Sequence, residues 1–290
     1  MTAAFIKLLD GWEAPFEEAV AEVFTEQLHH CLAILEGHKS LSYERKASVN
    51  YNELSDDLSK WFTEGESEDV WRARFFPMLQ GMLMDNAENQ TAVLLGARFN
   101  MANFWTASRI SPYMTFAQEA DNTTLKVLEG LMTYSATNGE SISATAKMFE
   151  QAFTIMLNGE GELAPDVREW LGDRMPFYRR ELIARTELNR AANRGAMDMY
   201  GSWGVQYKAW QATGDKRTRP SHLKAWEQYG INGSPGPIPM HEAFIVGGYA
   251  MLRPGDGPPH ESSNCRCAVL PVLEEHLRDR AKIQAKELST

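Results

Sequence analysis

The chain has 290 residues, 43% of them hydrophobic and 23% charged, and a net charge of −10. That is apolar material for one large core or two modest ones, and no stretch of about 18 apolar residues could cross a bilayer. Its opening, MTAAFIKLLDGWEAPFEEAV, places carboxylates after a single lysine and has no apolar h-region, so it does not read as a secretory signal. The charge is uneven. Residues 1–173 hold 12 Lys/Arg against 27 Asp/Glu, and residues 174–290 hold 17 against 12. The first part should repel nucleic acid and the second can tolerate a polyanion, although most of these charges read as solvated surface. The cysteines are Cys31, Cys265 and Cys267, an odd set that gives no disulfide framework and fits a reducing compartment.

In chain order, a first helix is expected to begin near Pro15, which the opening turn of a helix tolerates. Phe16, Val20, Val23, Phe24, Leu28, Cys31, Leu32 and Leu35 follow at helical spacing, and Gly37 suits a stop. Cys31 thus reads as a packing residue, and His29, His30 and His38 as solvated or cap-side histidines. A short helix over 49–62 puts Leu54, Leu58, Trp61 and Phe62 on one side. A longer helical stretch runs from about Glu68 to Ile110, with Pro77 expected to break or kink it. Its stripe includes Leu79, Leu83, Leu94, Leu95, Phe99, Phe104 and Trp105. The short polar run Asp121-Asn122-Thr123-Thr124 reads as an N-cap cluster. Asn138-Gly139 ends that helix, Glu140-Ser141 opens another, and Gly159–Pro165 is a loop. A last long helix is expected from about Asp166 to Tyr200, carrying Arg179, Arg180, Arg185, Arg190 and Arg194.

After Gly201 the texture changes. Val205–Trp210 reads as a strand and Gly214-Asp215 as a turn. Phe244–Val246, Gly247-Gly248 and Tyr249–Leu252 read as a β-hairpin. Cys267–Leu270 is a third apolar run, which Pro271 is expected to end. The expected fold is a mainly α N-terminal region over 1–180, a small α+β module over 181–273, and a polar tail over 274–290 that is either a short exposed helix or disordered.

No P-loop, strand-borne GxGxxG, HExxH or GxSxG occurs, which weakens nucleotide-binding, metalloprotease and hydrolase readings. What remains is an ordered set: IARTELNRAAN (183–193), W-x-ATGDKRTRPSH (210–222), FIVGG (244–248), RPGD (253–256) and NCRC (264–267). In that order the set resembles the head morphogenesis family of tailed phages, the Mu-like minor head proteins. The N-terminal region is similar to the family only in helical texture, with a G-x-S turn at Gly139 and Ser141. The chain departs from the family after His222, where HLKAWEQYGINGSPGPIP stands in place of a nearby Gly.

The resemblance implies a virion component of the head near the portal, acting in head assembly and in DNA packaging or ejection, and made in the host cytoplasm. The partners it implies are the portal protein, other head or scaffold proteins, and packaged DNA, with no membrane. The long apolar helices make the helical region the expected portal-binding part.

The residues themselves leave alternatives open. Asp215, Arg217, Arg219 and His222 form either a polar structural network, which Arg185, Glu187 and Asn264 join, or a catalytic cluster. The network is preferred because no nucleophile of clear identity accompanies them, and Asp215 is the expected partner of His222. Cys265 and Cys267 are either small apolar residues buried on one face of a strand, redox-active thiols, or ligands of a structural zinc. In the zinc reading His222 is a third ligand and Asp215, His241 or His260 the fourth. No other cofactor is expected. A metal-assisted hydrolase or nuclease, or an effector domain using Asp215, His222, Cys265 and Cys267, is the rival to the non-enzymatic reading.

Overall fold

The computed structural model describes residues 2–45, 50–95, 115–175 and 179–273. Among the described residues seven α-helices lead: α1 (Thr2–Arg45), α2 (Tyr51–Thr63), α3 (Glu66–Leu95), α4 (Thr115–Asn138), α5 (Ile142–Asn158), α6 (Pro165–Leu171) and α7 (Arg179–Ser202). Then follow β1 (Tyr207–Gln211), α8 (Pro220–Tyr229), β2 (Ile238–Pro239), β3 (Phe244–Val246), β4 (Tyr249–Met251), α9 (Pro259–Ser262) and β5 (Ala268–Val272). This is the expected mainly α region followed by a small α+β module. Among the described residues no helix is long and apolar enough to cross a membrane.

Several helix ends differ from expectation. Helix α1 starts at Thr2 and carries Pro15 in its interior. The residues ahead of the proline, Phe5, Leu8 and Leu9, already form a buried stripe at helical spacing, so the helix has a reason to begin earlier. Gly37 does not stop it, since an interior glycine costs only about 1 kcal/mol relative to alanine. Helix α3 likewise continues through Pro77. The expected run to Ile110, with Phe99, Phe104 and Trp105, lies outside the described residues, as do the side chains of Leu94 and Leu95 and the polar tail. Asp121 is not a cap. It lies inside α4 with its carboxylate buried, and Thr123 and Thr124 turn their hydroxyls back to the carbonyls of Glu119 and Ala120. The last long helix is interrupted after Leu171 by Gly172 (φ 50°, ψ −129°) and a short 3-10 turn.

Other elements match their local signals. Asn50 caps α2 by accepting from the backbone N–H groups of Asn52 and Glu53, and Leu54, Leu58, Trp61 and Phe62 are all buried. Ser141 caps α5, and Gly159 ends it in the left-handed conformation.

The chain divides into two compact units. Among the described residues, one comprises Pro15–Met78 and 115–184; the other comprises Thr2–Ala14, 79–95 and 185–273. The first unit is helical. Phe24 meets Trp71 and Phe153 edge-on at 6.2 and 6.3 Å. Beside this aromatic core the Asp121 carboxylate accepts from Trp71 Nε1 and Gln27 Nε2, each at 2.7 Å. Burial pushes the Asp121 pKa up to about 6 against those bonds and the charge of Arg179. The Arg179 guanidinium donates to the Ala120 carbonyl and the Thr124 hydroxyl and sits 5.8 Å over Phe24.

The second unit contains an antiparallel sheet in the order β2-β1-β5, and β3 and β4 pair as the expected hairpin. Lys208, Ala209 and Trp210 are buried in succession, which is why central β1 shows so little polar–apolar alternation. The Lys208 ammonium donates to the Leu252 carbonyl at 2.7 Å and lies 4.9 Å over the Phe244 ring; burial pushes its pKa down to about 8. Pro271 does not end β5. It pairs with Lys208 in an edge strand, where a missing N–H is tolerated. The core joins Ala196, Met199 and Tyr200 of α7 to Trp210, Phe244, Val246, Met251, Val269 and the two cysteines Cys265 and Cys267.

Candidate functional site

Residues 263–267 form an irregular segment that leads into β5, and side chains from the preceding elements hold its backbone. The Asn264 N–H donates to Thr186 Oγ1 of α7 at 3.1 Å. Thr213 Oγ1 donates to the Arg266 carbonyl at 3.0 Å, and Arg219 Nη2 to the Ser263 carbonyl at 2.7 Å. Buried Asn193 of α7 acts as a surrogate strand partner. Its Nδ2 donates to the Cys267 carbonyl at 2.9 Å and its Oδ1 accepts from the Val269 N–H at 2.7 Å. Asn264 has φ 54°, a left-handed conformation that asparagine adopts more readily than most residues. The motifs 183–193 and 210–222 therefore converge on the 263–267 backbone, and the two Asn193 bonds satisfy polar groups that burial would otherwise orphan.

This segment points Cys265 and Cys267 at one histidine. His222 lies in the first turn of α8, which opens at Pro220, and is 2% exposed. Its Nδ1 is 3.3 Å from Cys267 Sγ and 3.6 Å from Cys265 Sγ. Its Nε2 is 3.0 Å from Glu261 Oε2, and Ser221 Oγ donates to that same oxygen at 2.9 Å. The Trp210 ring meets the imidazole edge-on at 5.4 Å. Glu261 is itself crowded by the hairpin turn. Gly247 has φ 60°, and a Cβ there would stand 2.2 Å from Glu261 Oε1, so a side chain at 247 would push the carboxylate out of its present place. The hydrogen bond from Cys267 holds Cys265 well below the ordinary thiol range, and the same bond holds Cys267 well above it.

Several expected partnerships are different. Asp215 is not the partner of His222. It is exposed and closes its own turn, accepting from the Arg217 N–H at 2.9 Å and Thr218 Oγ1 at 3.1 Å, with Arg217 Nη2 at 3.4 Å. Burial raises its pKa, but those bonds and the Arg217 charge outweigh burial and hold it below the usual carboxylate value. The buried carboxylate of Glu261 takes the position facing the imidazole instead. His241 and His260 are exposed, and neither they nor Asp215 join the Cys265, Cys267 and His222 donor set. The cysteines are buried as expected, but in an irregular segment rather than on a strand face. Arg185 donates to Glu13 at 2.5 Å, and Glu187 pairs with Arg190 at 2.8 Å. Arg190 also donates to the Gly255 carbonyl of the 253–256 motif. Gly255 has φ 94°, and a Cβ there would lie 3.0 Å from the Arg190 backbone, so that motif is a packing surface for α7.

A cavity of about 480 Å3 opens beside the cluster. It is lined by Arg185, Thr213, Asp215, Arg217, Thr218, Arg219, His222, Asn264, Cys265, Arg266 and Cys267. Arg266 reaches Asp10 at 2.6 Å and Glu13 at 3.1 Å, whereas Arg219 has the carbonyl contact described above. The site thus sets two sulfurs and one imidazole nitrogen within 4.8 Å of one another in the wall of an arginine-rich cavity. Chemically, those three donors suit a soft or borderline metal, and the guanidinium groups suit an oxyanion. Sequence reasoning did not single out Glu261 or give Asn193 a role. The usable signal for Glu261 was a carboxylate four residues before Cys265, since a metal-binding imidazole commonly leans on a carboxylate.

The chain thus joins a helical region to a small α+β module whose ordered motifs anchor one cysteine-bearing segment. The family described as Phage Mu protein F like protein matches residues 126–270, half of the chain, and the chain belongs to that family. No curated protein and no solved structure matches it.

Proposed function

We propose that the chain is a minor head, or minor capsid, protein that acts in head assembly at the portal, in a step that serves DNA packaging or ejection, and is not a catalyst. The observation that carries this reading is the family match over residues 126–270. The architecture of the module supports it. Asn193, Thr186, Thr213 and Arg219 are used to fix backbone and not to present a nucleophile. Its partners on this reading are the portal protein and other head or scaffold proteins, with packaged DNA as a further partner of the net-basic part over 174–290. The protein would reside in the virion head near the portal after assembly in the host cytoplasm.

Mass spectrometry of purified particles, combined with lysine crosslinking, tests the reading. The chain should be present, and its exposed Lys39, Lys60, Lys126 or Lys147 should crosslink to the portal protein. Absence from particles overturns the virion assignment. Portal crosslinks confined to Lys216 and Lys224 of the module overturn the assignment of the helical region as the portal-binding part.

A further inference from the structure

We infer that His222, Cys265 and Cys267 bind one zinc ion through Nδ1 and two thiolates, and that the fourth position is taken by an oxygen ligand from the adjoining arginine-lined cavity. The first argument is distance. Zinc bonds of about 2.3 Å to sulfur and about 2.05 Å to nitrogen, set at a tetrahedral angle, separate the two donors by about 3.6 Å. Here the Nδ1–Sγ separations are 3.3 and 3.6 Å. A single point can therefore lie at bonding distance from all three atoms with little movement.

The second argument is tautomer. Glu261 Oε2, 3.0 Å from Nε2, already accepts from Ser221 and calls for a proton on the imidazole nitrogen. With Nε2 protonated, a neutral His222 carries its lone pair on Nδ1, which faces both sulfurs. One lone pair can accept a hydrogen bond from only one thiol at full strength, yet two sulfurs are held against it. A cation satisfies all three donors together, and a carboxylate behind the imidazole is the usual support for such a ligand.

The third argument is rigidity. Asn193 fixes the Cys267 carbonyl and Arg219 the Ser263 carbonyl, so the sulfurs are positioned by backbone bonds and not by chance packing. Among the described residues no other His, Cys, Asp or Glu joins the three donors. Cys265, Cys267 and His222 line the cavity wall together with Arg185, Arg217, Arg219 and Arg266, so the open position faces space suited to water or an oxyanion.

The test uses the full chain purified without chelator. Elemental analysis should find one zinc per chain, and exchange for cobalt(II) should give a sulfur-to-cobalt charge-transfer band with tetrahedral d–d bands. Inorganic phosphate should shift the d–d bands without removing the metal. A chain that takes up neither zinc nor cobalt on addition of the metal overturns the site. Cobalt bands that phosphate leaves unchanged overturn the open fourth position. Because Cys265→Ser and Cys267→Ser can fail to fold, Glu261→Gln provides the second measurement. It removes the charge behind His222 but no ligand, and should weaken zinc in chelator competition by about 10–100-fold. An unchanged affinity overturns the role of Glu261 in orienting the imidazole.

Discussion

The helical unit and the C-terminal module are stabilised in different ways. In the helical unit, apolar stripes meet apolar stripes, with Phe24, Trp71 and Phe153 at the centre, a buried polar cluster around Asp121 and a smaller buried pair, Thr145 and Ser135. In the module, many of the decisive contacts run from a side chain to another segment's backbone, including those on the irregular segment 263–267. Burial of area is tolerant of which residue supplies it, whereas a bond to a particular carbonyl is not. The difference teaches why the module carries short ordered motifs, whereas the family match enters the helical region only from residue 126.

The comparison can be broken most forcefully at Phe149, fully buried in α5. Phe149→Ala should cost about 3–5 kcal/mol through lost burial and the cavity left behind. Urea unfolding measures this, and a cost below about 1 kcal/mol would mean that the helical unit does not depend on its aromatic packing. Next comes Asn193→Ala, which orphans the Cys267 carbonyl and the Val269 N–H at a cost of about 3 kcal/mol. Amide exchange should then quicken in β1 and β5 while the amides of α4 and α5 keep their protection. Equal loss in both places would show that the two regions open as one cooperative body.

The smallest effect concerns Asp121. Its folded pKa, about 6, stands above the ordinary aspartate value of 3.8, so the native state holds the proton more tightly than the unfolded chain. The buried carboxyl carries no penalty when neutral below the unfolded value. A penalty accumulates as pH rises through the folded value. Asp121→Asn keeps an acceptor for Trp71 and Gln27 but cannot ionise. Relative to wild type, the variant should gain about 2 kcal/mol between about pH 4.5 and about pH 7.5. Parallel stability curves for the two proteins across that range would remove Asp121 from the pH response.

Much of the fold is legible where a local signal and its tertiary use coincide. Asn50 and Ser141 cap helices, and the stripe Leu54, Leu58, Trp61, Phe62 is buried as its spacing requires. The hairpin around Gly247-Gly248 also follows its turn signal. Legibility fails where tertiary contact overrides the local preference. Pro15 and Pro77 sit inside helices whose stripes extend on both sides of them, and Pro271 survives in a strand because that strand is an edge. The residues 121–124 have cap chemistry, but Trp71 and Gln27 recruit Asp121 from 50 and 94 positions away. The site was legible in three of its converging residues, His222, Cys265 and Cys267. Its supporting carboxylate was not, because sequence proximity favoured Asp215 and the fold brings Glu261 from 39 residues away.

The interleaving of the chain bears on how the protein is made. Asp10 and Arg266 pair across 256 positions, and Phe5, Leu8 and Leu9 belong to the unit that also contains residues 185–273. At a synthesis rate of about 5–20 residues per second, the first turns of α1 wait on the order of ten seconds or more after leaving the ribosome before β5 follows them. During that interval their apolar stripe lacks much of the unit in which it is finally buried. A nascent chain stopped before Arg266 cannot form the Asp10 pair, so completion of this unit also reports completion of translation up to that residue.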